Sequence, residues 1–174
     1  MKKKNWKRSL ALLFGGFIGI ALQASSFAQI KSWGVISDVS QRFQVLASFN
    51  SQAVLDRVTG LIWEKSPAAL SVAGISASFL CSGKMIDNKM GWRLPKIEEL
   101  TSLIVVNPLN QNLTLPAGHP FHNVTTGNND CFWSSSVSAG DPNKLLCMPV
   151  DGPGLAVVDK GTSHPFWCVR GNAN

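Results

Sequence analysis

Four cysteines, three histidines and a run of three serines are the side chains in this sequence whose types and spacing could do chemistry. Cys81, Cys131, Cys147 and Cys168 are separated by 50, 16 and 21 positions. Zinc modules use short Cys-x-x-Cys ligand pairs, and none occurs here, so the even count reads as two disulfide bridges. Four cysteines allow three pairings, and spacing alone does not choose among them. Ser134, Ser135 and Ser136 together with His164 raise the idea of a hydrolase. There is, however, no Gly-x-Ser-x-Gly elbow and no acid placed by the sequence, so hydroxyl residues on a strand suffice. His119-Pro120-Phe121-His122 offers two imidazoles, but the proline prevents the helix that would align them, and no third ligand is evident. Glu98 and Glu99 would point about 100° apart on a helix, which argues against a catalytic pair and for carboxylates that complement a helix dipole. Arg93, beside Trp92 at a strand-to-helix junction, can bind an anion or form an internal salt bridge, and the internal pair is preferred. No cluster here spells out a reaction, and neither a metal nor a cofactor is expected.

The elements that must position these residues follow from the apolar pattern. Gln29 to Asn50 lacks a strong period and reads as an extended segment. Ala53-Val54-Leu55 and Leu61-Ile62-Trp63 flank an Asp56-to-Gly60 turn, which predicts a hairpin. Ser66-Pro67 supplies an N-cap and a proline at the first helical position, so a first helix is expected from there to about Cys81. Gly74 weakens that helix by about 1 kcal/mol relative to alanine. Pro95 opens a second helix, in which Ile97, Leu100, Leu103 and Ile104 recur at helical spacing. From Val106 to Asp130 the chain is rich in proline, glycine, asparagine and threonine and reads as a long irregular loop. The last third reads as strands over Cys131 to Val137, Leu145 to Val150, Leu155 to Asp159 and Pro165 to Arg170. Trp63, Trp92, Trp133 and Trp167 have apolar neighbours and are expected in the core. Long polar connections are hard to bury. Ligand contacts are therefore assigned to the loops Val106 to Asp130 and Ser138 to Lys144 and the strand between them, through Asn128, Asn129, Asp130, Ser134, Ser136, Asn143 and Lys144.

The first 28 residues read as a cleaved export signal. Lys2, Lys3, Lys4, Lys7 and Arg8 precede the apolar run Leu10 to Leu22, and Ser26 and Ala28 place small side chains before the expected cut. Thirteen residues at about 1.5 Å of rise each fall short of a hydrocarbon core of roughly 30 Å, so no membrane span is expected after cleavage. The whole chain carries a formal charge of +6. Removing the signal leaves 11 basic against 10 acidic residues, a balance that removes the general electrostatic case for nucleic acid. Residues 29–51 are expected as an N-terminal extended segment and 52–174 as one domain. Export would carry the cysteines to a compartment where disulfides persist, the periplasm or the cell exterior.

Four short segments in order carry a family resemblance: TGLIW at Thr59 to Trp63, GWRLP with EEL at Gly91 to Leu100, FWSSS at Phe132 to Ser136, and CVRG at Cys168 to Gly171. Together they resemble the Lcl C-terminal domain family, whose members look like C-type-lectin-like folds. The resemblance implies an α+β domain with two helices flanking a twisted antiparallel sheet, and first and last strands that meet. It also implies an outer bridge from Cys81 to Cys168 and an inner one from Cys131 to Cys147. Phe132 stands where the family often has tyrosine, and no tryptophan follows in the next strand. Asp141-Pro142-Asn143 resembles the triplet with which some C-type lectins bind calcium and sugar, but its partner Trp-Asn-Asp segment is missing, and a turn accounts for these residues. Formylglycine-generating enzymes share the fold superfamily, yet their catalytic cysteine arrangement has no counterpart here. The expected function is a non-catalytic recognition module binding a glycan or an envelope or surface protein, with a structural subunit of an envelope or secretion assembly as the alternative.

Overall fold

The computed structural model describes residues 38–124 and 130–171. The expected signal at residues 1–28, residues 29–37, and Asn128 and Asn129 lie outside the described residues. Helix α1 (Val39–Arg42) begins on the Asp38 carboxylate, which accepts from the Ser40 N–H at 2.9 Å. Strand β1 (Phe43–Val45), a 3-10 turn (Ala47–Phe49), β2 (Ala53–Asp56) and β3 (Ile62–Glu64) follow. From Asp38 onward, then, the segment expected to be merely extended is built into the domain. β1 pairs with β2, and Phe43 and Phe49 are buried. A three-residue strand is too short to show a period, which is why the sequence pattern missed it. The β2–β3 hairpin forms as expected, with Val54 opposite Trp63 and Gly60 at φ +73° in the turn, a conformation glycine adopts without strain.

The chain continues through β4 (Ser71–Val72), α2 (Gly74–Ser82), β5 (Trp92–Arg93) and α3 (Ile97–Ser102). After these come β6 (Val105–Val106), β7 (Leu113–Thr114), β8 (Phe132–Ser138), β9 (Asp141–Met148), β10 (Ala156–Asp159), β11 (His164–Pro165) and β12 (Val169–Arg170). The main sheet has the order β1-β2-β3-β12-β5, and a second one the order β10-β9-β8. Two small ladders, β4 with β11 and β6 with β7, complete a mixed α/β domain whose strand pairs are all antiparallel. The last strand pairs with β3 and β5. It does not pair with the first.

Both disulfides link as the resemblance implied, Cys81 to Cys168 and Cys131 to Cys147. All four sulfurs lie in one apolar cluster with Trp92, Trp133 and Phe166. A second cluster gathers around Trp167, whose ring centroid is 4.8 Å from Phe121 and 5.2 Å from Trp63. The four tryptophans are therefore core residues, as expected.

The first helix starts at Gly74, later than Ser66-Pro67 suggests, because Ser71–Val72 is drawn into a ladder with β11 and the Trp133 indole donates to Val72 O at 2.7 Å. Tertiary pairing has overridden a local cap. Gly74 is the close contact of the helix with the core: a Cβ there would come 2.9 Å from Leu145 Cδ1. Gly74, Ala77 and Cys81 face inward, whereas Ile75 and Phe79 are 78% and 76% exposed. Small residues inward and large ones outward is the reverse of an ordinary surface helix. Replacing Ile75 and Phe79 together with lysine should leave the free energy of unfolding in urea within about 0.5 kcal/mol of the parent protein. A loss of several kcal/mol would show that this face is packed.

Candidate functional site

Glu64 ends β3, where alternation and its neighbour Trp63 place it against the core. Its N–H bonds Cys168 O at 3.1 Å, and Cys168 is tied to Cys81 near the end of α2. Gly83 caps that helix through its N–H to Phe79 O at 3.0 Å, and the chain then delivers Lys84 to the Glu64 carboxylate. The outer disulfide thus fixes both ends of an ion pair that lie 20 positions apart. On the opposite wall, the Lys65 N–H donates to Gln52 O at 2.9 Å and the His122 N–H to Lys65 O at 2.9 Å. The Asn123 amide donates to Ser66 Oγ at 2.9 Å. Between these walls opens a cleft of about 460 Å³, lined by Gln52, Glu64, Lys65, Lys84, Met85 and His122 among others. That volume suits a small ligand.

The Glu64 side chain is 9% exposed and that of Lys84 19%. Lys84 Nζ donates to Oε1, while Oε2 is buried without a hydrogen-bond partner among the described residues. Burial strips water from the carboxylate and raises its pKa above the ordinary glutamate range. The hydrogen bond and charge of Lys84 offset part of this, and the Cys168 backbone amide contributes less, without completing a bond to Oε2. A buried acceptor without a partner, on a residue that lines a cleft, is costly in the free protein and would gain from a donor that reached it.

A second cleft, of about 390 Å³, is lined by Asp130, Cys131, Leu155, Val158 and His164, among others. Asp130 Oδ1 lies 2.8 Å from His164 Nδ1, and the Trp133 ring stands edge-on to His164 at 5.0 Å. Cys131 Sγ, Cys147 Sγ and His164 offer atoms within 4.8 Å of one another, but the two sulfurs are joined in the inner disulfide.

Of the ligand contacts assigned from sequence, the five among the described residues do not converge. Asp130 faces the second cleft. Ser134 is fully buried, its hydroxyl donating to Leu146 O at 2.6 Å, so it is not available to a ligand. Ser136 Oγ accepts from the Ile97 N–H at 2.9 Å and anchors the start of α3, and Ser135 donates to Pro95 O. The serine run is therefore structural, and His164 partners Asp130 instead of a serine. Asn143 and Lys144 lie in β9, not in a loop: the 138–144 segment is a hairpin end turning at Ala139 and Gly140. Pro142 is tolerated there because β10 joins β9 only from Lys144 onward. Lys144 faces Asp159 across that ladder, and Lys160 donates to Pro142 O, so charges of both signs meet at this end of the sheet. Asp141 Oδ1 accepts from the Asn143 N–H at 2.9 Å, a turn contact.

The described part of the 106–130 segment, residues 106–124, is also more ordered than a loop. β6 and β7 form a ladder, Leu113 bridges to Gly152, and Leu115, Phe121 and Val124 are buried in the Trp167 cluster. Those three apolar residues among turn formers are the sequence signal for this anchoring. His119 and His122 diverge: Nδ1 of His119 accepts from the Phe121 N–H at 3.2 Å, while His122 faces the Glu64 cleft. Burial, then the nearby His122, lower the His119 pKa. Arg93 makes the internal pair, with two bonds to Glu99 at 2.7 and 2.6 Å. Burial would raise the Glu99 carboxyl, but these bonds, the Lys96 N–H and the two cations outweigh it and hold it low. Glu64 and Lys84, the pair that makes the most unusual site, escaped the sequence reading. Their one signal was a carboxylate directly after a core tryptophan.

These features define a mixed α/β, antiparallel, doubly disulfide-bonded domain with a carboxylate cleft beside its outer bridge. The chain belongs to the Lcl C-terminal domain family, whose model matches residues 52–170. No curated protein and no solved structure matches it.

Proposed function

We propose that this domain is a non-catalytic recognition module of an exported protein, on a C-type-lectin-like scaffold, binding a glycan or an envelope or surface protein. The observation that carries the reading is the Glu64 cleft: a concave polar site with an unused buried acceptor, its walls fixed by the Cys81–Cys168 bridge and a core-anchored segment. Such preorganisation suits recognition, because little conformational freedom is lost on binding. Export is supported by the basic and apolar order of the first residues and by two disulfides, which persist in oxidising compartments. No helix among the described residues is long and apolar enough to cross a membrane. The test is capture of glycans on an array and of envelope proteins from extracts by the oxidised protein, with mass spectrometry of what is recovered. Saturable capture of an unchanged ligand is expected; conversion of the ligand would overturn the non-catalytic reading. The exposed Ile75 and Phe79 face favours a second reading, a structural subunit of an envelope or secretion assembly. Co-purification with envelope proteins that is abolished by lysine at those two positions would select it.

A further inference from the structure

We infer that the Glu64 cleft is a calcium-independent site for a neutral sugar, in which one hydroxyl donates to Glu64 Oε2 and the adjacent hydroxyl accepts from Lys84 Nζ. The inference rests on the recognition reading above and names its ligand class. Oε2 is the buried acceptor without a partner, so whatever meets it must bring a donor. An anion is excluded at that point by the carboxylate itself. A second ammonium would lie beside Lys84, with Lys65 also lining the cleft, and like charges disfavour it. A neutral donor remains. Lys84 has three N–H donors and spends one on Oε1, leaving others for an acceptor next to that donor. Hydroxyls on neighbouring carbons project side by side, and each both donates and accepts, which matches an acceptor and a donor flanking one carboxylate.

The rest of the cleft fits the same ligand. Met85, 61% exposed, gives apolar surface for the C–H face of a sugar ring, and Gln52, Ser66 and His122 add polar contacts around it. Reaching Oε2 requires a lining side chain to move. Lys84 and Met85, which line the cleft, are unbranched and flexible. No calcium ligand is called on, since Asp141 and Asn143 lie outside this cleft.

The experiment titrates the isotope-labelled oxidised protein with the methyl glycosides of glucose, galactose, mannose and fucose, in the presence of a chelator. Backbone shifts are followed at Gln52, Lys65, Lys84 and Met85. At least one sugar should saturate these shifts. Glu64→Gln keeps the side chain's size but presents an amide in place of the acceptor, because Lys84 holds the carbonyl oxygen. It should weaken binding by about tenfold or more, the factor for losing one hydrogen bond to a charged group. Unchanged melting of Glu64→Gln, with both disulfides intact, shows that the loss is local. Equal binding by the parent and Glu64→Gln would overturn the site while leaving the recognition reading in place. Saturation of the same shifts by acetamide but by no sugar would overturn the ligand class. Absence of any shift, alongside array or extract capture elsewhere on the protein, would overturn the inference alone, whereas absence of all capture would overturn both.

Discussion

Replacing Cys81 and Cys168 together with alanine should destabilise the domain by about 4 to 5 kcal/mol, the chain-entropy value for a bridge closing 87 residues. Domains of this size have total stabilities of about 5 to 15 kcal/mol, so the variant should sit near the unfolding threshold. Removing Cys131 and Cys147, which close 16 residues, should cost less, about 3 kcal/mol. Urea unfolding of the two variants gives the order directly. The outer bridge has a second consequence, because Cys168 O holds Glu64 and Cys81 precedes Lys84 by one turn of chain. Its loss should therefore damage the cleft even under conditions where the rest of the fold survives. Equal destabilisation by both bridges, or a stable outer variant, would contradict the role given to Cys81–Cys168.

Arg42→Ala should cost about 3 to 5 kcal/mol, a large effect for a residue on a four-residue helix. Arg42 reaches across 14 positions to Asp56, with bonds of 3.0 and 2.8 Å to its two oxygens, and also donates to Ser102 O at 2.6 Å. One guanidinium thus ties α1, the β2 end and the end of α3. Asp56 is fully buried, so without Arg42 its carboxylate would keep, among the described residues, only the Val58 N–H. Most of the cost is that stranded charge. The double variant Arg42→Met with Asp56→Leu should recover much of the loss for the same reason. Lys89→Ala offers the contrast, since Lys89 and Asp87 are 38% and 41% exposed and their pair should be worth under about 1 kcal/mol. Urea midpoints at fixed pH separate the cases; an Arg42→Ala loss no larger than that of Lys89→Ala would show that Asp56 rehydrates freely.

Elements held by local pattern were legible in the sequence. The β2–β3 hairpin declares itself through apolar runs around an Asp-to-Gly turn, and α3 through its 3.6-residue repeat after Pro95. The tryptophans are buried as their neighbours suggested, and Arg93 pairs with Glu99. What escaped was set by contacts distant along the chain. β4 exists only because β11 lies beside it, and that pairing cost the first helix its expected start. β1 holds a single inward side chain, too little for a period. The 138–144 segment carries turn residues, yet strand pairing continues through them to a two-residue connection. The same limit hid the site. Glu64, Lys84, Gln52 and His122 are brought together by a disulfide, a three-residue strand and two backbone bonds at Lys65, and no spacing rule connects them. Ser134 and Ser136, in contrast, looked available because they are small and polar, but their hydroxyls are consumed by Leu146 O and the Ile97 N–H.

Binding of a neutral methyl glycoside to the oxidised protein, compared between the parent and Glu64→Gln in the same chelator-containing buffer, bears most directly on the recognition role of the cleft. Saturable binding by the parent, recovery of the sugar unchanged, and weakening by about tenfold or more in the folded Glu64→Gln variant are the expected results. Binding that is indifferent to Glu64, or a sugar recovered chemically altered, would contradict them.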